Sequence, residues 1–153
     1  MNARMLRFGM NLWPPFLFAG IRVLEISSDY RYARVRMRLR PWNRNAFGTH
    51  FGGSLFSMTD PFWAILLLRN VGREHMVWDQ AGEIEFVSPG RGTVEAEFRL
   101  TDEVIADVLD RTASGEKALV WFDTDVKSLE GDVVARVRKQ VYARRKRALA
   151  LVA

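Results

Sequence analysis

Between Ser54 and Arg69 the chain is apolar around the whole circumference of a helix, interrupted only by Ser54, Ser57, Thr59 and Asp60. A helix that is hydrophobic on every side belongs inside a protein, because a surface helix keeps one polar face. Gly52-Gly53 opens this run and Gly72 is placed to end it. A single buried helix needs apolar surface on several sides. Only a sheet that curls around it, helped by a second subunit, supplies that. The most apolar stretch, Pro61 to Leu68, is far shorter than the ~20 residues that cross a bilayer, so no membrane span is expected.

The rest of the chain supplies the sheet. Ile21 to Ile26 reads as a strand, followed by turn chemistry at Ser27-Ser28-Asp29. Ala33, Val35, Met37 and Leu39 then alternate strictly with Arg34, Arg36, Arg38 and Arg40, a period of two with one buried face and one row of guanidiniums. Pro41 to Phe51 is a polar loop. Four further strands follow the apolar helix, over Val77–Val87, Thr93–Leu100, Lys117–Lys127 and Val133–Ala143. Ser88-Pro89-Gly90 and Glu130-Gly131-Asp132 read as turns, and Thr101 to Arg111 as a short helix capped by Thr101. At the start, Met1 to Leu12 reads as a helix ended by Pro14-Pro15. The order is two strands, one buried helix, then four strands with a helical insert: an α+β domain spanning residues 1–153. Residues 1–15 form a helical extension and residues 144–153 a basic tail.

With 153 residues, 48% of them hydrophobic, the chain suits one domain with one core. It has no cysteine, which excludes a disulfide framework, thiolate metal sites and a cysteine nucleophile. His50 and His75 are its only histidines, too few for a histidine-based metal site, so no metal is expected. The net charge of +5 favours an anionic partner: nucleic acid, a phosphate-bearing molecule or a membrane surface. Nothing resembles a recognition helix or an aromatic RNA platform, so nucleic acid is not expected. Arg4 and Arg7 ahead of the partly apolar Phe8–Gly20 imitate an export signal. Asn11 and Pro14-Pro15 interrupt it and no small-residue cleavage site follows, so a cytoplasmic protein is expected.

The chemistry concentrates between Asn45 and Asp60. Two adjacent glycines at a helix start let a ligand approach the backbone, and the unpaired amides there suit an oxyanion or a carbonyl oxygen. Asp60, about two turns beyond Gly53, is a lone carboxylate on an apolar helix, costly to bury without a purpose or a partner. Asp60-Pro61 is equally the ordinary pattern of an N-cap followed by proline at the first helical position, which would break the helix there. Both readings stand on the sequence. Ser57, one turn earlier, is placed to bond Asp60 or a local carbonyl.

Asn45, Gly48, Gly52, Gly53 and Asp60 together resemble the motif of the hot-dog fold acyl-CoA thioesterases, Asn-x-x-Gly-x-x-His-Gly-Gly with an acidic residue on the central helix. Trp13-Pro14-Pro15-Phe16 and the Asn45–Asp60 stretch look closer still to a small bacterial branch in which Phe-Gly-Gly replaces His-Gly-Gly. The resemblance implies a hot-dog fold, a curved antiparallel sheet wrapped around a long buried central helix. It implies that Asp60 activates water or attacks a thioester carbonyl, that the Gly53 amide, with that of Gly52, polarises this carbonyl, and that Asn45 orients the water or the loop. Phe51, His50, Ser57 and Trp63 would line the substrate site. The protein would need no cofactor, coenzyme A entering only within the substrate. It would act as a homodimer or a dimer of dimers with sites at the interface.

Two departures from the motif open a second reading. Phe51 stands where the commoner motif has histidine, with His50 one place early, and Pro61 directly follows Asp60. A non-catalytic protein that binds acyl-CoA or fatty acid is the alternative to a hydrolase. His50 is then a loop residue, and His75, beyond the helix end, is read as structural. Trp63, Phe62, Phe56 and Trp78 line an acyl channel or, as such residues more often do, form core. The arginine row binds coenzyme A phosphates or pairs with Glu95 and Glu97 on a neighbouring strand. The Arg144-Arg145-Lys146-Arg147 cluster is expected to fray into solvent, with a grip on a nucleotide phosphate or nucleic acid as the alternative.

Overall fold

The computed structural model of the protein describes residues 2–146. Its elements run α1 (Ala3–Leu12), α2 (Pro14–Ala19), β1 (Ile21–Ile26), β2 (Tyr32–Arg38), α3 (Gly52–Ser57), α4 (Phe62–Val71), β3 (His75–Phe86), β4 (Thr93–Arg99), α5 (Asp102–Thr112), β5 (Lys117–Ser128) and β6 (Val133–Arg145). The strands form one antiparallel sheet in the order β1-β2-β4-β5-β6-β3. Each expected strand is present within two residues of its expected limits, because strict alternation leaves only one register that buries the apolar face. On β2, Ala33, Val35 and Met37 are fully buried.

Two expectations about helices are corrected. Pro14-Pro15 ends α1 and also starts α2, since proline at the first helical positions gives up only amides that have no acceptor there. The helical start of the chain therefore extends to Ala19, where Gly20, at φ 76°, closes the turn. The long central helix is also not continuous. Pro61 lacks the N–H that would bond Ser57, and its ring crowds that carbonyl, so the chain turns at Met58–Pro61 and restarts as α4.

Each half packs one side against the inner face of the sheet and leaves residues such as Ser57 and Leu68 exposed. Leu55, Met58, Phe62, Trp63, Leu66, Leu67 and Val71 join one cluster with Val94, Phe98, Phe122, Val137 and Val141. Aromatic contacts tie this core across the elements. Phe62 stacks on Phe98 at 4.6 Å and Trp63 on Phe122 at 4.4 Å. The buried Trp63 indole donates to Thr124 Oγ1 at 2.8 Å, which satisfies its one polar atom.

The two edges of the sheet differ. At β1, α1 closes the edge: Asn11 accepts from the Val23 amide at 2.8 Å and donates to the Val23 carbonyl at 3.0 Å, and Arg7 donates to the Leu24 carbonyl at 2.8 Å. At the other end, β3 pairs with β6 on one side, and no described strand lies on its other side. On the outer face Arg36 bonds Glu95 at 2.6 Å and Arg34 stands opposite Glu97, while Arg38 faces Thr93, so the arginine row is engaged across strands only in part. The expected fraying of the C-terminal basic cluster is corrected in part. Arg144 and Arg145 lie in β6, Arg144 donates to the Gly115 carbonyl, and the Lys146 amide donates to the Glu74 carbonyl. Arg147 and the remainder of the basic tail lie outside the described residues.

Candidate functional site

The loop before α3 is braced from within. Asn45 Oδ1 accepts from the amides of Phe47 and Thr49 at 2.9 and 3.1 Å, and its Nδ2 donates to Thr49 Oγ1 and to the His50 carbonyl. Asn45 thus orients the loop; its amide group is taken up by that task. His50 is buried, its backbone amide bonded to the Gly90 carbonyl at 3.0 Å and its Nε2 lying 3.1 Å from the Gly92 carbonyl. Burial pushes the imidazole below its ordinary value, so it is neutral near pH 7. It pins the loop to the 88–92 turn.

Between these two segments lies a cavity of about 490 Å³, lined by Asn45, His50, Gly52, Leu55, Phe86 and Arg91 among others. Gly52 and Gly53 are the first two residues of α3, so their amides have no acceptor within the helix. Both glycines also lie against phenylalanine rings. A Cβ on Gly52 would sit 2.7 Å from Phe86 Cζ, and one on Gly53 would sit 2.5 Å from Phe51 Cε1. The Phe51 ring therefore lies directly against Gly53.

Asp60 occupies the break between α3 and α4. It does not cap α4, whose first turn has no side-chain cap. Its carboxylate instead bonds Lys139 Nζ from β6. The Lys139 side chain is 5% exposed and that of Asp60 57%, so a buried cation holds a carboxylate whose other face is open. Asp79 of β3 completes a triad, its Oδ2 lying 3.5 Å from Lys139 Nζ. Burial pushes the Asp79 carboxyl up, Lys139 opposes that shift, and Asp60 adds to it. The Lys139 ammonium also lies 4.6 Å from the centre of the Phe56 ring. Space for this side chain comes from Gly82, its register partner on β3, where a Cβ would meet Phe56 at 2.7 Å and Lys139 at 3.1 Å.

The structure thus brings Asn45, His50 and Gly52 together around one cavity, with Gly53 and Phe51 beside it, and sets Asp60 apart with Lys139 and Asp79. Ser57 bonds Asp60 only through the backbone, its carbonyl accepting from the Asp60 amide at 3.2 Å. Trp63 belongs to the core and does not line the cavity. His75 is structural, its Nε2 lying 2.9 Å from Thr112 Oγ1. Lys139 is the residue missed in the sequence. It occupies the inward parity of β6, shared with Ala135, Val137, Val141 and Ala143, where a charged residue signals a buried partner. Among the described residues no group of histidines and carboxylates is arranged to hold a metal ion.

A family model described as Domain of unknown function (DUF4442) matches residues 2–143. The chain belongs to the DUF4442 family. No curated protein sequence matches this DUF4442 chain significantly. Among solved structures, it is similar to a Pseudomonas aeruginosa protein of unknown function described as a "probable thioesterase". That similarity has 21% identity, a TM-score of 0.84, and covers 94% of this chain and 95% of the other. It is also similar to a Chlorobaculum tepidum protein of unknown function at 17% identity and a TM-score of 0.72, covering 94% of each chain. A Haemophilus influenzae thioesterase shares 10% identity at a TM-score of 0.68, over 98% of this chain and 95% of that one. The agreement in architecture makes this DUF4442 chain an α+β hot-dog domain.

Proposed function

We propose that the protein is a thioesterase that hydrolyses acyl-CoA or a similar acyl thioester, with Asp60 as its general base. The observation that carries this reading is the Asp60–Lys139 pair: a buried ammonium orients a carboxylate whose other face stays open. Support comes from the hot-dog structures described as thioesterases that the chain is similar to.

In this reading Asp60 takes a proton from water as the water oxygen bonds to the thioester carbonyl carbon. The amides of Gly53 and Gly52 stabilise the oxyanion that forms. The carbon–sulfur bond then breaks and the thiol leaves with a proton, giving a free carboxylic acid. Arg91 in the cavity wall suits the phosphates of coenzyme A, which takes part only as substrate and product. A homodimer, built by pairing the open edge of β3 with its copy, would bring the cavity of one subunit towards the Asp60 of the other. A dimer of such dimers is compatible with the same edge pairing. The compartment implied is the cytoplasm, which accords with a chain that has no cysteine.

The test is thiol release from short, medium and long acyl-CoAs by wild type and by Asp60→Asn. A protein without cysteine adds no thiol background. Release that falls at least about a hundredfold in Asp60→Asn is the expected result. A second reading, acyl binding without turnover, is favoured by the Phe51 ring lying against Gly53. Thermal stabilisation by acyl-CoA with no thiol release from any substrate would decide for it.

A further inference from the structure

The helix α1 is apolar on two opposite faces. Ala3, Leu6 and Met10 point into the protein, while Met5, Phe8 and Leu12 recur on the outward side. The exposed apolar surface continues through Trp13 and Leu17 to Phe18 of α2, and Phe8 and Phe18 are 67% and 74% exposed. Asn43 ties the next loop to this end of the molecule by donating to the Ala19 and Arg38 carbonyls. That loop carries Trp42, itself 68% exposed, beneath the Arg40 guanidinium. Contiguous exposure of several large apolar side chains marks an interaction surface.

The charge around this surface names the kind of partner. Residues 1–44 hold nine arginines and two acidic residues; of these arginines, Arg31 and Arg36 are paired with Asp102 and Glu95 from later in the chain. Arg4, Arg7, Arg38 and Arg40 form no ion pair with any described residue. A second copy seated on the patch would bring two such positive regions together. The β3 edge, where a dimer is proposed above, lies at the far end of the sheet from α1 and leaves the patch open.

We propose that the outward face of α1 and α2, with the Trp42 loop, docks on an anionic lipid surface. Phe8, Leu12, Leu17 and Phe18 enter the boundary between headgroups and acyl chains, while Trp13 and Trp42 sit at headgroup level. Arg4 and Arg40 meet the lipid phosphates. This is attachment in the plane of the membrane: among the described residues no helix is long and apolar enough to cross one. The inference stands apart from the hydrolytic reading, because vesicle binding is measured without substrate.

The experiment is cosedimentation of the full chain with vesicles of equimolar phosphatidylcholine and phosphatidylglycerol, and with vesicles of phosphatidylcholine alone. Wild type is expected to bind the anionic vesicles, to bind the neutral ones weakly, and to release as salt rises. Phe8→Ser with Phe18→Ser should lower partitioning about tenfold or more, and Arg4→Gln with Arg40→Gln severalfold. Circular dichroism melts should not change, since these side chains point outward. Quenching of wild-type tryptophan emission by brominated anionic lipids supports the same docking without any variant. Partitioning unchanged by both double variants would overturn the proposal. So would wild type that binds no vesicle, whether Phe8→Ser with Phe18→Ser reduces its oligomeric size or wild type is instead retained by a DNA duplex.

Discussion

Lys139 is the residue on which the candidate site turns. Its aliphatic stem passes the gap left by Gly82, and its ammonium reaches two carboxylates that would otherwise repel each other. Replacing it with methionine leaves the half-buried Asp79 without a cation. Lys139→Met should lose about 2–3 kcal/mol of stability at neutral pH, slightly below the usual cost of breaking a buried pair because Asp60 is open to solvent. Part of that loss should return in mild acid, since the Asp79 carboxyl is already pushed up and protonation removes the buried charge. Urea denaturation at neutral and mildly acidic pH measures both effects. His50 has the opposite dependence on acid. Its folded-state value is held below the ordinary 6.5 by burial. Well above pH 6.5 neither folded nor unfolded chain is protonated there. As pH falls below 6.5 the unfolded chain takes up a proton first, so the folded state loses stability until pH passes its own lower value. His50→Gln should flatten that decline in a series of thermal melts through this range, at the cost of a lower Tm near neutrality.

At the scale of elements, the closed edge and the crowded strand pair give two further expectations. Asn11 is the clasp between α1 and β1, with both bonds made to one residue of the edge strand. Asn11→Ala should lower stability by about 1–2 kcal/mol and expose a ladder of unpaired backbone groups. Thermal denaturation followed together with light scattering would show the lower Tm and earlier aggregation. Gly82→Ala should be costly for a different reason. The new methyl meets the Phe56 ring and the Lys139 stem at once, and displacing both should cost about 1–3 kcal/mol. The same substitution should weaken the hold on Asp60, so any hydrolysis should fall by more than the unfolded fraction explains. A comparison of kcat with the folded fraction separates the two.

At the scale of the molecule, the sheet joins segments far apart in the chain. β3 pairs with β6, His75 opposite Arg145, and β2 pairs with β4 across the whole central helix. Loops of that length must close before the contacts stabilise anything, so refolding followed by tryptophan fluorescence should take about milliseconds to seconds rather than microseconds. The two ends of the sheet also do different work. The β1 end is sealed by α1 and carries an exposed apolar and cationic surface, while the β3 end is an open edge beside the candidate site.

What the sequence determined by itself is everything that depends on local period and turn chemistry. The alternation of Ala33, Val35 and Met37 with arginines placed β2, and the apolar run after Gly53 placed a buried helical segment inside a sheet. The spaced set from Asn45 to Asp60 marked the region of the candidate site. Tertiary structure decided what depends on distant partners. Asp60 was legible as a costly carboxylate, but its choice between capping and pairing rested on Lys139, which lies 79 positions away along the chain. Trp63 was legible as large and apolar, and only its stacking on Phe122 and its bond to Thr124 assigned it to the core. The Phe51 ring against Gly53 and the second apolar face of α1 needed the folded chain as well. A period shows which side of an element faces inward; the groups it meets there come from segments that local sequence does not contain.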